Sequence, residues 1–471
     1  MNAENPYDVL ILGGGITGIS LGRVLAETGK SCLLVERGDF ASGTSQASGM
    51  MIWGGLLYLK NFEFRQVRRL CRARDQLMAS LPEEVAPRRF AYMRSRESGR
   101  NPLFVRAALS VYQMLAGGKR RAVCGFPRDH VGPDLDARLF KSGWSYEEGF
   151  LRESDARFSL RRLLSAGLPL DARNYCEISA IRETDGVYNI SLPAGETVRA
   201  RKIVNCCGVW ADEVNAKFGI ATRHTHHLSK GVYLLLPRSE NTNALVVDMG
   251  ENDDTLCWVP WGDVVMWGPT ETTISDLGHA HATADDVNFL LTRLNHYSPR
   301  QWTRDDIVNI RCGVRPLVCP RGKTVAHPMQ LSRKAVIEKA SGQNWWTVFG
   351  GKLSGAADLA ERIHHTIYGT RAKRSVPVER MPPRRMTTLF FNGRELPDPG
   401  HCREHEHCRS LEDYLRRRTN LAQWIGNAGF GGNFEYEHDL LAIAAVFHDD
   451  PVSALANYKR RVVEERSRWY D

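Results

Sequence analysis

The chain has 471 residues, 42% apolar and 25% charged, with no low-complexity tract and no internal repeat; this is the composition of an ordinary globular protein with room for two or three domains. No apolar run approaches the roughly 18 residues of a membrane span, the longest candidates such as Leu440–Phe447 being core-sized. A net charge of +9 comes from 63 basic and 54 acidic residues, but no recognised nucleic-acid module accompanies it, so nucleic acid is not expected as a partner. The N-terminal MNAENP lacks a basic n-region, so no signal peptide is read and a cytoplasmic protein is expected. Eleven cysteines lie without framework spacing and read as free thiols.

Tyr7 to Leu12 is a short apolar run, as in a buried parallel strand. It ends in Gly13, Gly14 and Gly15, continues as a helical pattern to Gly29, and returns as a strand from Ser31 to Val35 that stops at Glu36. This strand–turn–helix–strand–acid layout predicts a dinucleotide site. Gly13 permits the tight turn, Gly15 lets backbone approach a pyrophosphate, and Gly18 lets the helix pack on the strand. Unpaired N–H groups at the helix start favour the phosphates, and Glu36 accepts from an adenosine ribose.

From Phe64 to Leu81 the pattern is helical and ends at Pro82. A mixed, basic connection follows to about Gly143. Most of the charge lies between Phe64 and Arg121; its plain reading is a solvated helical face, its sharper one a patch for anionic lipid at the inner face of a membrane. A helix is expected from about Asp155 to Ala166, and Glu177–Leu192 reads as a hairpin turning at Asp185-Gly186. Lys202–Cys206 is a buried-strand pattern that runs into Gly208 and a helix from Ala211, a second strand–turn–helix corner. Strand-like runs between about His226 and Asp276 look like an antiparallel sheet roofing a pocket. Thr283 is a plausible N-cap, with Asp286 three residues on. Trp345–Phe349 is again a buried strand, followed by Gly350, Gly351, Lys352 and a helix from Ser354 to Tyr368. A Pro- and Arg-rich link from Val376 to Gly400 leads to a helical end. His401, Cys402, His405, His407 and Cys408 are metal-ligand types, but their spacing fits no standard finger and no metal is expected. The Cys206-Cys207 pair reads as core.

The stretches DVLILGGGITG, TSQASGMMIWGGLLYL with EFRQV, SDARFSL, IVNCCGVWADEV, SKGVYLLLPR, RDDIVNIRCGVRPL and FGGKLSGAADLAE follow one another from Tyr7 to Arg362, about three-quarters of the chain. In them the chain resembles the FAD-dependent glycerol-3-phosphate dehydrogenases, within the D-amino-acid oxidase/glycine oxidase-type flavoenzymes. HEHCRSLEDYLRRRT resembles that family's helical tail, shortened. The resemblance implies an α/β fold in which a Rossmann-like FAD-binding domain interleaves with an antiparallel-sheet substrate domain, plus a short helical C-terminal piece. Its expected division is 1–80, 146–218 and 341–375 for FAD, 81–145 a mixed connection, 219–340 the substrate domain, and 376–471 a linker and helical end.

FAD is the implied cofactor, with Ser45, Ser48, Gly208, Gly350, Gly351, Lys352, Leu353 and Ser354 beside it. The helix after Lys352 would turn its positive end toward the flavin. Arg315 is the implied substrate-facing guanidinium, Lys352 lies near the flavin edge or substrate oxygen, and Tyr58 and Thr270 line the pocket. The family pattern SKLIHGGLRYL stands here as GMMIWGGLLYL. Met50 replaces a lysine, Trp53 a histidine and Leu57 an arginine, and Tyr233 replaces the histidine of KGSH. Polar groups associated with a phosphorylated triol are thus exchanged for apolar or aromatic ones, which points to an altered substrate. The implied reaction is dehydrogenation of a CH–OH group of a small polar polyol, glycerol 3-phosphate-like by family default, with hydride passing to flavin N5. Tyr233, Lys352 or a water they hold would be the base, and a quinone or oxygen the electron acceptor. An amine or hydroxy acid as substrate, and a flavin-binding or membrane-surface module that has lost catalysis, are the alternatives.

Overall fold

Four aliphatic residues in a row, Val9–Leu12, are all buried and form β1, as suits a strand covered on both faces. The computed structural model describes residues 5–116, 122–165, 170–240, 243–250, 255–323, 325, 331, 334–372, 383–388, 391 and 393–470, with Leu57, Lys60 and Asn61 described as backbone only. Behind β1 the chain enters α1 (Ile16–Glu27) and returns as β2 (Cys32–Val35), parallel to β1. A short β3 (Met51–Ile52) precedes α2 (Phe64–Ser80), which buries Val67, Leu70, Cys71, Arg74 and Leu77 at helical spacing.

Residues 81–145, expected as a mixed connection, carry more structure than that. They hold β4 (Val85–Ser95), α3 (Pro102–Leu115), β5 (Cys124–Gly125) and the first half of β6 (Phe140–Leu151), so the expected boundary at 145/146 cuts through a strand. β4 and β6 pair antiparallel from Val85↔Leu151 to Ser95↔Phe140. Their charged residues hide them in the sequence. Glu148 of β6 is wholly buried, accepting from Arg74 at 2.6 Å and from the Tyr112 hydroxyl at 2.5 Å.

α4 (Asp155–Leu164) starts at Ser154, whose Oγ accepts from the Arg157 N–H at 3.1 Å. Then come β7 (Asp171–Arg173), β8 (Ala180–Thr184), β9 (Val187–Ser191), β10 (Thr197–Ala200), β11 (Ile203–Asn205) and α5 (Ala211–Lys217). The next stretch gives β12 (His224–Pro237), β13 (Ala244–Asp248), β14 (Thr255–Trp261), β15 (Val264–Gly268) and β16 (Thr272–Ile274). α6 (Ala284–Tyr297) opens with a capping box between Thr283 and Asp286, as its sequence suggests. β17 (Asn309–Pro320), β18 (Val336–Lys339), β19 (Trp345–Phe349) and α7 (Ala356–Tyr368) follow.

Two large sheets result. The first has the order β18-β19-β11-β1-β2-β7, parallel except for β18. The second has ten strands along β16-β12-β15-β14-β13-β4-β6-β3, with β17 on β12 and β5 on β6. It therefore recruits β3, β4, β5 and β6 from ahead of the 219–340 stretch expected to supply it, and it is antiparallel, as expected, except where β13 runs parallel to β4. β8–β10 make a small separate sheet. The C-terminal helices α8 (Pro399–His405), α9 (Leu411–Asp413), α10 (Leu421–Trp424), α11 (Glu437–Phe447) and α12 (Pro451–Ser467) close on their own core, which includes Cys402, Cys408, Tyr414 and Phe430.

Candidate functional site

The turn between β1 and α1 leaves no room for side chains. Gly13 has φ +98°, and a Cβ there would meet the Cys206 carbonyl oxygen at 2.8 Å; one on Gly18 would meet the Gly13 oxygen at 2.0 Å. Gly15 caps α1 without a side chain, and Ser45 Oγ accepts from the Ile16 N–H at 3.0 Å. Glu36, at the end of β2, accepts from the Gly14 N–H at 2.8 Å and the Gly38 N–H at 2.9 Å. Burial pushes its carboxyl above the usual carboxylate range even so.

A cavity of about 1870 Å³ runs from this turn to the inner face of the ten-stranded sheet. Gly13, Gly15, Glu36, Ser45, Ser48 and Gly208 line its first part, and Gly350, Gly351, Lys352, Leu353 and Ser354 its middle. Trp53, Tyr58, Tyr233, Thr270 and Arg315 line its far end. Of the residues singled out from sequence, Gly18 lies beneath the wall, in contact with the turn. The Leu57 side chain is outside the described residues. Met50 does not line the cavity. Its φ is +63°, it is fully buried, and its sulfur lies 3.8 Å from Arg311 Nη2, while its neighbour Met51 takes the wall position.

The second glycine corner is held from outside the cofactor strands. Gly350 has φ +71° and Gly351 φ +117°. The Gly350 N–H donates to His226 Nε2 at 3.1 Å, which fixes the tautomer, so Nδ1–H donates to Asp212 Oδ2 at 2.9 Å. His226 was not recognisable beforehand: it is one of three histidines in His224–His227, and nothing local separates it from the others. Beyond the corner, α7 begins through Leu353–Gly355 with no side-chain cap.

At the far end the charges are unbalanced. Arg315 reaches Ser229 Oγ, the Lys230 carbonyl and the Thr270 carbonyl, each at 3.4 Å, and lies across Gly231, where a Cβ would clash with it. No carboxylate pairs with it among the described residues. Lys352 Nζ lies 4.0 Å from the centroid of the Tyr58 ring and 5.8 Å from that of Trp53, with no carboxylate or carbonyl partner among the described residues. Burial lowers its ammonium to about 7. Lys230, by contrast, is paired with Asp286 at 2.5 Å. Tyr233 is buried against Gly49, and burial drives its phenol pKa up. The wall also includes Tyr92 and Tyr146, on strands the sequence did not reveal, and Val246 and Cys257, on strands it did reveal without showing which side chains face the cavity.

The His/Cys cluster near the C-terminus is divided between packing contacts. Cys402 and Cys408 are buried in the tail core, the His401 and His405 rings lie 4.6 Å apart, and His407 meets the Phe40 ring edge-on at 5.2 Å. Among the described residues, no three His, Cys, Asp or Glu side chains are placed to hold a metal.

The family model FAD dependent oxidoreductase (DAO) matches residues 8–357. The chain is 32% identical over 381 residues to the D-erythritol 1-phosphate dehydrogenase of Brucella abortus, a match covering 76% of this chain and 73% of that one. It is 30% identical over 371 residues to the glycerol-3-phosphate dehydrogenase of Pseudomonas tolaasii, covering 75% and 70%. Among solved structures, the glycerol-3-phosphate dehydrogenase of Bacillus halodurans complexed with FAD aligns with a TM-score of 0.72 at 18% identity, over 100% of this chain and 96% of that one.

Proposed function

The chain belongs to the FAD dependent oxidoreductase family, and from that premise we propose that it dehydrogenates a CH–OH group of a small phosphorylated polyol. The residues present fit the cofactor. Gly13 makes the tight turn and Gly15 leaves the start of α1 without a side chain where a pyrophosphate would lie, Glu36 is fixed by two backbone N–H groups at the end of β2 where a ribose would lie, and Leu353 and Ser354, leading into α7, line the same cavity. When bound, FAD supplies the two-electron acceptor.

The observation that carries the substrate class is Arg315, a cation without a carboxylate partner among the described residues, on the wall of the same cavity as Lys352. A dianionic phosphate answers that charge, and the relatives named above act on phosphorylated polyols by their names. In this reading Arg315 holds the phosphate through charge-assisted hydrogen bonds. Lys352 takes the hydroxyl proton. Burial takes its ammonium down to about 7, which makes the neutral amine accessible near neutral pH, whereas burial keeps the Tyr233 phenol protonated and makes it a donor. Trp53 and Tyr58 keep water from the reacting carbon. A quinone or oxygen would be the final electron acceptor.

Anaerobic titration of the flavin absorbance tests the reading. Bleaching by glycerol 3-phosphate or a longer polyol phosphate supports it. Bleaching only by an amine or a hydroxy acid overturns it. We also infer a peripheral membrane contact: Phe62, Phe64, Leu103, Phe104 and Met114 are exposed on and beside α2 and α3, and Arg65, Arg68 and Arg72 of α2 are exposed too. Among the described residues, no helix is long and apolar enough to cross a membrane.

A further inference from the structure

Strand register lines up four residues across the inner face of the ten-stranded sheet. Gly268 of β15 pairs with Cys257 of β14, Cys257 with Val246 of β13, and Val246 with Tyr92 of β4. Directly paired residues share a face, so these side chains form one row at right angles to the strands, spanning about 14 Å at the usual strand spacing. The middle of the row is small. At one end Tyr233 stands over Gly268, where a Cβ would come 3.0 Å from its ring. At the other, Tyr92 is joined by Tyr146, whose partner Phe90 lies two residues along β4 from Tyr92 and so on the same face. Glycine, cysteine and valine thus floor a trough between tyrosines.

The trough is continuous with the site. Tyr92, Tyr146, Tyr233, Val246 and Cys257 line the same cavity as Arg315 and Lys352. The far wall is rigid, because the Tyr92 hydroxyl donates to Asp248 at 3.0 Å and Asp248 also accepts from Ser98 at 2.8 Å. The other two phenols are different. Tyr146 and Tyr233 are 2% and 8% exposed, and neither hydroxyl has a hydrogen-bond partner among the described residues. Buried hydroxyls are ordinarily satisfied, so two left open on a cavity wall point to a ligand that satisfies them.

We propose that this trough is a subsite for the end of the substrate remote from Arg315, and that it selects polyol phosphates with more than three carbons. The inference rests on the proposed function and names its substrate class more narrowly. The distal hydroxyls bond to Tyr146 and Tyr233, and the C–H faces of the chain lie on Val246 and Cys257. A three-carbon substrate leaves the trough to water and the phenols without a fixed partner.

The test is steady-state and anaerobic reduction of the FAD-loaded enzyme by glycerol 3-phosphate and by four- and five-carbon polyol phosphates. Wild type is expected to favour the longer substrates in kcat/KM by about tenfold or more. Cys257→Leu, which fills the floor, collapses that ratio mainly through KM. Tyr146→Phe, which keeps the ring and removes only the hydroxyl, lowers it several-fold while the flavin spectrum stays that of wild type. If wild type reduces three-carbon and longer substrates equally, or both variants change all substrates alike, the trough is overturned while the proposed function stands. If no polyol phosphate of any length reduces the flavin, the proposed function falls and the subsite with it.

Discussion

Lys352 owes its properties to what surrounds it. An ammonium 4.0 Å from the centre of the Tyr58 ring gains some cation–π attraction but no counter-charge, and burial takes it down to about 7. A base works deprotonated. The turnover rate is therefore expected to rise with pH through about 7 and to level off above it, as the neutral amine becomes the main form. Lys352→Arg, permanently charged, should lose roughly 100-fold or more in kcat and lose the rise with pH as well. A wild-type rate that falls above pH 7 would instead make the cation the working form. Residues at this scale were legible where backbone conformation dictated them. Gly13, Gly18, Gly350 and Gly351 announce themselves because a side chain there would clash or force a left-handed backbone. Whether Tyr233 or Lys352 better suits the proposed base was not legible, because the choice depends on how burial moves each pKa.

At the scale of elements, the C-terminal helices reach back to the cofactor loop. Asp39, three residues past Glu36, is fully enclosed and accepts from Arg417 Nε at 2.5 Å and Arg418 Nη2 at 3.0 Å. Burial alone would raise this carboxyl; the two guanidiniums outweigh it and hold it below the usual carboxylate range. Arg417 also donates to Gln46 at 3.1 Å, inside the loop whose Ser45 and Ser48 line the cavity, and Arg418 donates to the Glu406 carbonyl at 2.6 Å. A wide helical turn, Tyr414–Arg418, brings both arginines to one carboxylate. Arg418→Met leaves Asp39 short of a partner in a dry site, a change that costs about 3–5 kcal/mol. It should lower the melting temperature of the loaded protein by several degrees and release flavin earlier, as read by flavin fluorescence on heating. An unchanged melt would show that the clamp is idle. The sequence displays the tail's helical pattern but not this clamp, since its partners lie 378 residues apart and share no local signature. β4 and β6 escaped notice for a related reason. Their charged positions are satisfied by distant groups, as Glu148 is by Arg74 and Tyr112, so the alternation expected of strands is broken.

As a whole, the molecule joins a mainly parallel sheet that carries the glycine turn to a mixed sheet, antiparallel but for the β4–β13 pair, that forms the far wall of the cavity; the strand–glycine corners at Gly13, Gly208 and Gly350 made the first of these visible in the sequence. The outer face is as uneven as the inner one. Phe62, Leu103 and Phe104 are 78%, 73% and 69% exposed, and Arg65, Arg68 and Arg72 of α2 are exposed as well, the two kinds of side chain that the proposed contact with an anionic bilayer would use. Sedimentation with vesicles should show binding to anionic lipid, lost in high salt and weakened by Phe62→Ser with Leu103→Ser. Equal recovery with neutral vesicles, or none with either, would remove the membrane from the account.

The clasp around the flavin also sets an order of events during synthesis. Its parts come from residues 13–48, 208 and 350–354, and the clamp from 417 and 418. Until β19 has left the ribosome, β11 lacks the neighbour it pairs with from Ile203↔Trp345 onward, and the pyrophosphate turn faces an unfinished wall. The N-terminal half is therefore expected to complete its sheet only once that strand has emerged. Flavin supply acts late, as a ligand that draws the finished polypeptide into its native state. Scarcity of the vitamin precursor would then show first as lost protein, before it showed as lost turnover.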